Sequence, residues 1–197
     1  MHDLLPRDER WRFRRLGQGD AAELQRFFDA NPEYFLSVDG EPPARDAAAH
    51  ELVDFPPAGM PYRAMLLLGA SDGDDRSGAL TAMATVVEGF IAEHVWHIGL
   101  FIVATPLHGG GAAHAIYRAL ERWMLDCGAS WIRLGVVAGN ARAERFWERS
   151  GYVETRRRGP IAMGSKKNVL RVMVKPLAGG TVDEYLGLVQ RDRPSAP

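Results

Sequence analysis

The chain has 197 residues and a formal net charge of −1, since 24 lysines and arginines stand against 25 aspartates and glutamates. This length suits one domain with its own hydrophobic core, and the balanced charge argues against a nucleic-acid partner. We expect a cytoplasmic protein without a membrane partner. The single Cys127 forms no internal disulfide, and the start of the chain lacks a secretory apolar core. The longest apolar stretch, 98–106, is too short to cross a bilayer.

Hydrophobic periodicity and turn residues predict alternating strands and helices. The predicted elements are, in order, a strand at 11–16, helices at 20–30 and 44–53, strands at 63–69, 79–87 and 95–104, a helix at 112–127, a strand at 130–137, a helix at 140–151 and strands at 152–157 and 168–174. Residues 31–43 are turn-rich and predict a loop. The end of the chain predicts one or two helical turns around 182–189 and disorder from Arg191 onward.

The order of these elements predicts the fold class. The strand–helix–strand unit over residues 95–137 implies a parallel pair of strands, because such a crossover joins parallel neighbours. The other strands are expected to pair antiparallel. The sequence therefore predicts an α/β (α+β) fold with a mixed, mostly antiparallel sheet flanked by helices.

A glycine-rich segment joins the strand at 95–104 to the next helix. Residues 103–113 run Val-Ala-Thr-Pro-Leu-His-Gly-Gly-Gly-Ala-Ala. Small residues let a ligand approach the backbone, and the first N–H groups and dipole of a helix favour an anion. The loop alone fits a pyrophosphate site and an empty glycine turn equally well. His114 breaks the dinucleotide fingerprint, and no Gly-Lys-Ser/Thr tripeptide of a P-loop is present.

A second motif follows the strand at 130–137. It runs Asn140-x-x-Ala143-x-x-Phe146-Trp147-x-x-x-Gly151-Tyr152 and forms a short helix capped by Asn140. Together the two segments resemble the GNAT superfamily of acetyl-CoA-dependent N-acetyltransferases. That family carries an Arg/Gln-x-x-Gly-x-Gly/Ala loop, placed here on His108, Gly111 and Ala113, and an Asn-x-x-Ala-x-x-x-Tyr-x-x-x-Gly-Phe segment downstream. The resemblance covers about residues 95–155.

The resemblance implies a GNAT-like fold, in which the parallel strands splay apart, and a single acetyltransferase domain over 1–176 with a tail at 177–197. It implies an acyltransferase that moves an acetyl group from acetyl-CoA to a primary amine by direct attack in a ternary complex, and it is compatible with a homodimer. The pantetheine arm would bond to the backbone near Val103, and the pyrophosphate would lie on the amides of the glycine loop. The implied cofactor-binding residues are Phe101, Ile102, Val103, His108, Gly109, Gly110, Gly111, Ala112, Ala113, Asn140, Phe146 and Trp147.

Two residues depart from the family pattern. His108 stands where the family usually has Arg or Gln, so the loop offers the phosphates less charge. Trp147 stands where many members have the Tyr that protonates the departing thiolate. An indole has an N–H donor but no useful acid chemistry, so packing is the expected role of Trp147. These departures keep open an acyl-CoA-binding regulatory or sensor domain without turnover.

The general base is not fixed by the motifs. His97 stands six residues before Val103, where several family members have a glutamate, and its imidazole suits proton removal near neutral pH. In a regular strand it would share a face with Phe101 and Val103. A structural histidine is an equally good interpretation, and Glu88 and Glu93 are weaker alternatives for the base. His94 and His97 lack further ligands, so no metal site is predicted.

Two charged segments bear on the acceptor, whose identity the sequence leaves open. One segment is acidic, with Glu33, Asp39, Glu41, Asp46, Glu51 and Asp54 against a single Arg45. It either attracts a cationic amine or is a solvated surface. The other is basic, Arg156 to Arg158 with Lys166 and Lys167, and it either meets a CoA phosphate or an acidic partner or forms an exposed hairpin face.

Overall fold

A computed structural model describes residues 4–53, 56 and 60–196. The strands are Trp11–Arg15 (β1), Ala64–Asp72 (β2), Leu80–Glu88 (β3), Val95–Val103 (β4), Trp131–Val137 (β5), Val153–Met163 (β6) and Lys166–Pro176 (β7). The helices are Ala21–Ala30 (α1), Glu33–Val38 (α2), Ala47–Glu51 (α3), Ala112–Asp126 (α4), Ala141–Arg149 (α5) and Val182–Leu188 (α6). Among the described residues, no helix is long and apolar enough to cross a membrane.

The seven strands form one sheet in the order β1-β2-β3-β4-β5-β7-β6. Only β4 and β5 are parallel, which confirms the predicted mixed sheet. Their pairing stops early, at Ile98 with Leu134. Beyond that point β4 stays on β3 and β5 stays on β7, so a V-shaped gap opens between the two central strands.

Helices cover both faces of the sheet. On one face α4 and α5 pack over the central strands, with Ile116, Leu120 and Met124 of α4 fully buried. The periodicity of α4 explains this, since these side chains recur every four residues along one stripe. On the other face α1 and α3 cover β2 to β4, and α6 covers the beginning of β4 and β5.

Two segments differ from the sequence prediction because distant residues hold them. Residues 33–38 form α2 rather than a loop, and β6 and β7 extend to a common tip at residues 164–165. The hairpin tip binds the end of α2: Lys166 Nζ donates to the carbonyls of Leu36 and Ser37 at 2.8 and 3.0 Å, and Asn168 Nδ2 donates to Val38 O at 2.6 Å. These contacts span about 130 residues, so local patterns give no sign of them.

The end of the chain packs onto the sheet. Thr181 and Glu184 cap α6 reciprocally, and the Tyr185 and Val189 side chains are fully buried. Asp192, in the stretch expected to be disordered, is also fully buried, and it accepts hydrogen bonds from Arg133 of β5. The disorder expected from Arg191 is therefore wrong at Asp192, because this buried ion pair ties it to the central sheet.

Candidate active site

A β-bulge at Gly99 sets the two faces of β4. Thr85 of β3 pairs with Leu100 and Val86 pairs with Ile98, so Gly99 is the extra residue. Before the bulge Trp96 and Ile98 face α4, and after it Leu100 and Ile102 face α1. The prediction that His97 shares a face with Phe101 and Val103 required a regular strand and is wrong, because the bulge reverses the alternation.

Two glycines stand where the parallel strands separate. Gly99 and Gly135 directly follow the last paired residues of β4 and β5, and both are exposed although their strands are central. Neither has a side chain to fill the gap. The point of the V is therefore open, which is unusual in the interior of a seven-stranded sheet.

A cavity of about 490 Å³ lies beside the far end of β4. It is lined by ten of the twelve residues expected to bind the cofactor, all but Gly110 and Ala112. The lining residues that the sequence did not single out for the cofactor are Asn31, Glu33, Tyr34, Thr105, Leu107, His114, Arg142, Ala143, Arg145 and Arg149. The structure thus brings together the glycine loop and the helix α5, which are separated by strand β5 along the chain.

The glycine loop presents its backbone to this cavity. Gly109 and Gly111 have φ angles of +80° and +84°, a conformation that disfavours any other residue, and an added Cβ at either would meet open space. Gly111 begins α4 without a side-chain cap. Among the described residues, the N–H groups of Gly109, Gly111, Ala112 and Ala113 form no hydrogen bond. The first turn of α4 thus directs unbonded N–H donors toward the cavity.

His108 is held by two partners. Its Nε2 lies 2.9 Å from Val103 O, and its Nδ1 lies 3.0 Å from Nη1 of Arg142. Since a guanidinium only donates, Nδ1 accepts and Nε2 carries the proton. Arg142 of α5 thus places a positive charge beside His108, which stands where the family usually has an arginine or glutamine.

Asn140 connects α5 to α2 at the edge of the cavity. Its Oδ1 accepts from the N–H of Ala143 at 3.2 Å, which caps α5, and its Nδ2 donates to Oγ of Ser37 at 3.0 Å, which ties α5 to α2. Both ends of the amide are thus used within the protein.

Trp147 belongs to an aromatic cluster. Its ring lies 5.3 Å from Tyr117 and 5.2 Å from Tyr152, both edge to face, and 5.8 Å from Phe101. The Tyr117 hydroxyl donates to the Tyr152 hydroxyl at 3.0 Å, and burial raises the pKa of both phenols. Aromatic pairs in such geometry contribute about 0.5–1.5 kcal/mol each beyond area burial. These contacts support the packing role expected for Trp147.

Comparison of the sequence and the fold with known proteins shows the family of this chain. The model of the acetyltransferase (GNAT) family matches residues 24–152, about two thirds of the chain. The chain belongs to the GNAT acetyltransferase family. It is accordingly an acyltransferase by family. No curated protein matches the sequence.

Solved structures of GNAT proteins share the fold at low identity. An acetyltransferase from Thermus thermophilus is 20% identical with a TM-score of 0.64, covering 90% of this chain and 100% of that one. A GCN5-related N-acetyltransferase from Kribbella flavida is 22% identical with a TM-score of 0.60, covering 86% and 99%. Spermidine N-acetyltransferase from Vibrio cholerae, solved with CoA and spermine, is 18% identical with a TM-score of 0.60, covering 86% and 96%.

The structure places His97 away from the cavity of this GNAT domain. Its ring stacks on Phe90 with centroids 4.6 Å apart, and its Nδ1 lies 3.0 Å from the carbonyl of Arg133. Burial, followed by the charge of Arg133, lowers the pKa of His97 to about 3. Such an imidazole accepts a proton only weakly at neutral pH.

Glu88 and Glu93 lie at the opposite end of the sheet from the cavity. Val87, next to Glu88, pairs with His97 near the start of β4, whereas the cavity touches Val103 at its end. Glu88 is buried and forms an ion pair with Arg63 at 3.1 Å. Glu93 is exposed in the turn before β4. The three candidate bases are thus not brought to the cavity.

The acidic segment divides into separate roles. Glu33 accepts from the Thr105 hydroxyl at 2.6 Å, a bond that lowers the pKa of Glu33 and ties α2 to the end of β4. Glu51 of α3 accepts from the hydroxyl of Thr85, whose methyl group lies 3.7 Å from the Cβ position of Gly99. Asp54 lies outside the described residues. Glu51 is thus a carboxylate near the open point of the V, and no spacing motif in the sequence marks it.

Proposed function

We propose that the protein transfers an acetyl group from acetyl-CoA to a primary amine, which attacks the thioester directly in a ternary complex. The proposal rests on one observation. The glycine loop with its unbonded N–H groups, the cavity and the place where β4 and β5 separate follow one another along the same side of β4. A cofactor along the gap would bring its thioester toward Gly99 and Gly135. An amine would reach it from the face that carries α1 and α6.

The pantetheine arm is assigned to the backbone of β4. The Ala104 N–H donates to Thr81 O of β3 at 2.8 Å. Because backbone groups alternate in direction along a strand, those of Phe101 and Val103 point away from β3 into the gap. Val103 O is 2.9 Å from Nε2 of His108, so we assign Phe101 to the arm: its C=O accepts from the arm, and its N–H polarises the thioester carbonyl.

The phosphates are assigned to the start of α4 and to α5. The N–H groups of Gly109, Gly111, Ala112 and Ala113 would bind the pyrophosphate, as helix N-termini bind anions. Arg142, Arg145 and Arg149 of α5 line the same cavity at spacings of three and four residues, so they lie along one stripe. Their charge complements the phosphates of CoA.

The proton of the attacking amine is assigned to Glu51. The amine nitrogen forms the new N–C bond, the C–S bond breaks, and the thiolate leaves and takes a proton from solvent. The amine proton passes to the carboxylate of Glu51, directly or through a water molecule. His97, Glu88 and Glu93 are not used, because the pKa of His97 is lowered to about 3 and its ring is held by the Arg133 carbonyl, Glu88 is paired with Arg63, and Glu93 is exposed in the turn before β4. This assignment rests on the contact between Glu51 and Thr85 beside Gly99.

Two measurements test the proposal. Isothermal titration with CoA should show saturable binding, and acetyl-CoA with a panel of primary amines should release free thiol. Glu51→Gln should lower kcat at least tenfold and leave CoA binding intact, while Glu41→Gln, an exposed acid of the same segment, should leave both unchanged. Absence of CoA binding would refute the proposed function, and an unchanged kcat in Glu51→Gln would refute the role of that residue.

The second candidate is an acyl-CoA-binding regulatory domain without turnover. It is favoured by Trp147 in place of the family's tyrosine, and by the burial of Tyr117 and Tyr152, which raises the pKa of each phenol and weakens it as an acid. CoA binding without thiol release across all amine classes would establish this alternative.

A further inference from the structure

A group of arginines lies on the face of the sheet from which the amine would approach. Paired residues of neighbouring strands point to the same face, and Gly135, Val172 and Arg156 form one row across β5, β7 and β6. Val137, Leu170 and Arg158 form the next row. Arg156 and Arg158 therefore face the same side as Gly135. Arg157 points to the opposite side.

The described helices leave part of this face open, although Val172 is buried and the end of α2 contacts Asn168 of β7 on the same face. α1 and α3 pack over β2 to β4, whereas α6 packs over Val95, Trp131 and Val174 at the other end of the strands. Between them Gly99 and Gly135 remain exposed. Strands lie about 4.8 Å apart, so the backbone of Arg156 is about 10 Å from Gly135, two strands away. A side chain from β6 can span much of that distance.

The carboxylate closest to this group is already used. Asp192 accepts from Nε of Arg133 at 2.7 Å and from Nη2 at 3.3 Å, and it also accepts from the hydroxyl of Tyr185. Arg156 donates to the backbone carbonyl of Arg191 at 2.5 Å, and the charge of Arg191 acts on Arg158. The carboxylate of Asp192 is thus engaged by Arg133 and Tyr185.

Arg158 lies one row beyond Arg156 on the same face of β6. It is half-buried, and among the described residues no carboxylate oxygen lies within 4.0 Å of its nitrogens. Burial and the charges of Arg191, Arg133 and Arg156 lower the pKa of Arg158, although Asp192 opposes this. This is the environment of a cation that gains from binding an anion.

We propose that Arg158, supported by Arg156 and Arg191, binds a carboxylate of the acceptor, so that the substrate is a small amine that also carries a carboxylate group. The amine would lie at the open point of the V near Glu51, and the carboxylate would lie over β7 and β6. Arginine suits this because its planar fork binds a carboxylate through two hydrogen bonds. The inference rests on the proposed function and deepens it by naming the class of acceptor.

The test uses the full chain and matched acceptors. Thiol release from acetyl-CoA is measured with ω-amino acids of three to six carbons, with the corresponding ω-amino carboxamides, and with diamines of the same lengths. The proposal expects the best amino acid to exceed its carboxamide at least tenfold in kcat/KM, mainly through KM. A preference for diamines, or equal values for acid and amide, would overturn it.

Variants assign the preference to the residue. Arg158→Gln should remove the tenfold preference, Arg158→Lys should retain part of it, and the neighbouring Arg157→Gln, on the other face and paired with Glu154 at 2.8 Å, should leave it unchanged. Equal effects of the Arg157 and Arg158 variants would overturn the assignment.

A binding measurement separates this inference from the proposed function. Titration of the CoA-saturated protein with glutarate should show binding that Arg158→Gln weakens at least tenfold. If CoA binds and glutarate does not, this inference fails and the proposed function stands. If glutarate binds with this dependence on Arg158 while no amine releases thiol, the anion site stands and transfer to an amine fails.

Discussion

The two faces of β4 differ in how they are built. On the α4 and α5 face, most residues around the cavity belong to two short segments, 101–114 and 140–149, and Asn31, Glu33 and Tyr34 complete the lining. On the other face, Glu51, Thr85, Gly99 and Arg158 come from four elements separated by many residues. The proposed cofactor side, around the cavity, therefore depends mostly on local backbone geometry, and the proposed acceptor side, around Glu51 and Gly99, depends on how distant elements pack.

The largest expected effect tests the cofactor side. Gly111→Glu should abolish CoA binding, because it places a negative side chain at the pyrophosphate position on a backbone with φ of +84°. The control is Gly179→Glu, which has a φ of +80° and equally open space but lies after β7. Calorimetric titration measures both. Near-normal CoA affinity in Gly111→Glu, or equal loss in both variants, would contradict the placement of the phosphates.

The second prediction concerns the buried ion pair that ties the end of the chain to β5. Asp192→Asn should lower the free energy of unfolding by about 3–5 kcal/mol, because it leaves the Arg133 charge buried without its partner. Urea unfolding measures this, with the exposed Asp183→Asn as control.

The same ion pair predicts a pH dependence. Burial raises the pKa of Asp192, but Arg133 and Tyr185 outweigh burial and lower it. The stabilisation should therefore be complete above about pH 4 and decline as the pH falls below it. A loss below about 1 kcal/mol would contradict a tight ion pair.

The third prediction concerns Arg142, which supplies charge beside His108. Arg142→Gln should weaken CoA binding about tenfold, equivalent to about 1.4 kcal/mol, and should reduce the salt dependence of binding. Arg118→Gln, an exposed residue of α4 outside the cavity lining, is the control for net charge. An unchanged dissociation constant in Arg142→Gln would show that His108 and the loop amides suffice.

The sequence predicts the residues around the cavity better than those on the opposite face of β4, for a physical reason. The residues from His108 to Gly111 and the cap Asn140 carry their information locally, since a left-handed turn and a helix cap each involve a few neighbours. Arg142 was missed because its role depends on α5 lying against the loop. The bulge at Gly99 was missed because register is decided by the partner strand, and α2 was missed because a hairpin about 130 residues away binds its end.

The smallest expected effect on turnover is that of replacing His97. This variant tests whether His97 only packs in the sheet or acts in catalysis. Its imidazole titrates near pH 6.5 in the unfolded chain and at about 3 in the folded one, so the unfolded state binds the extra proton between these values. The folded state should be fully stable with respect to this group above about pH 6.5 and lose stability as the pH falls toward 3. The His97→Gln variant lacks this proton uptake, so its unfolding free energy should fall less between pH 7 and about 4.5 than that of the wild type. The pH profile of kcat above about 6.5 should stay unchanged in the variant. If the variant instead loses turnover with an imidazole-like pH profile, His97 acts as the base, and the catalytic side of β4 extends to its first half.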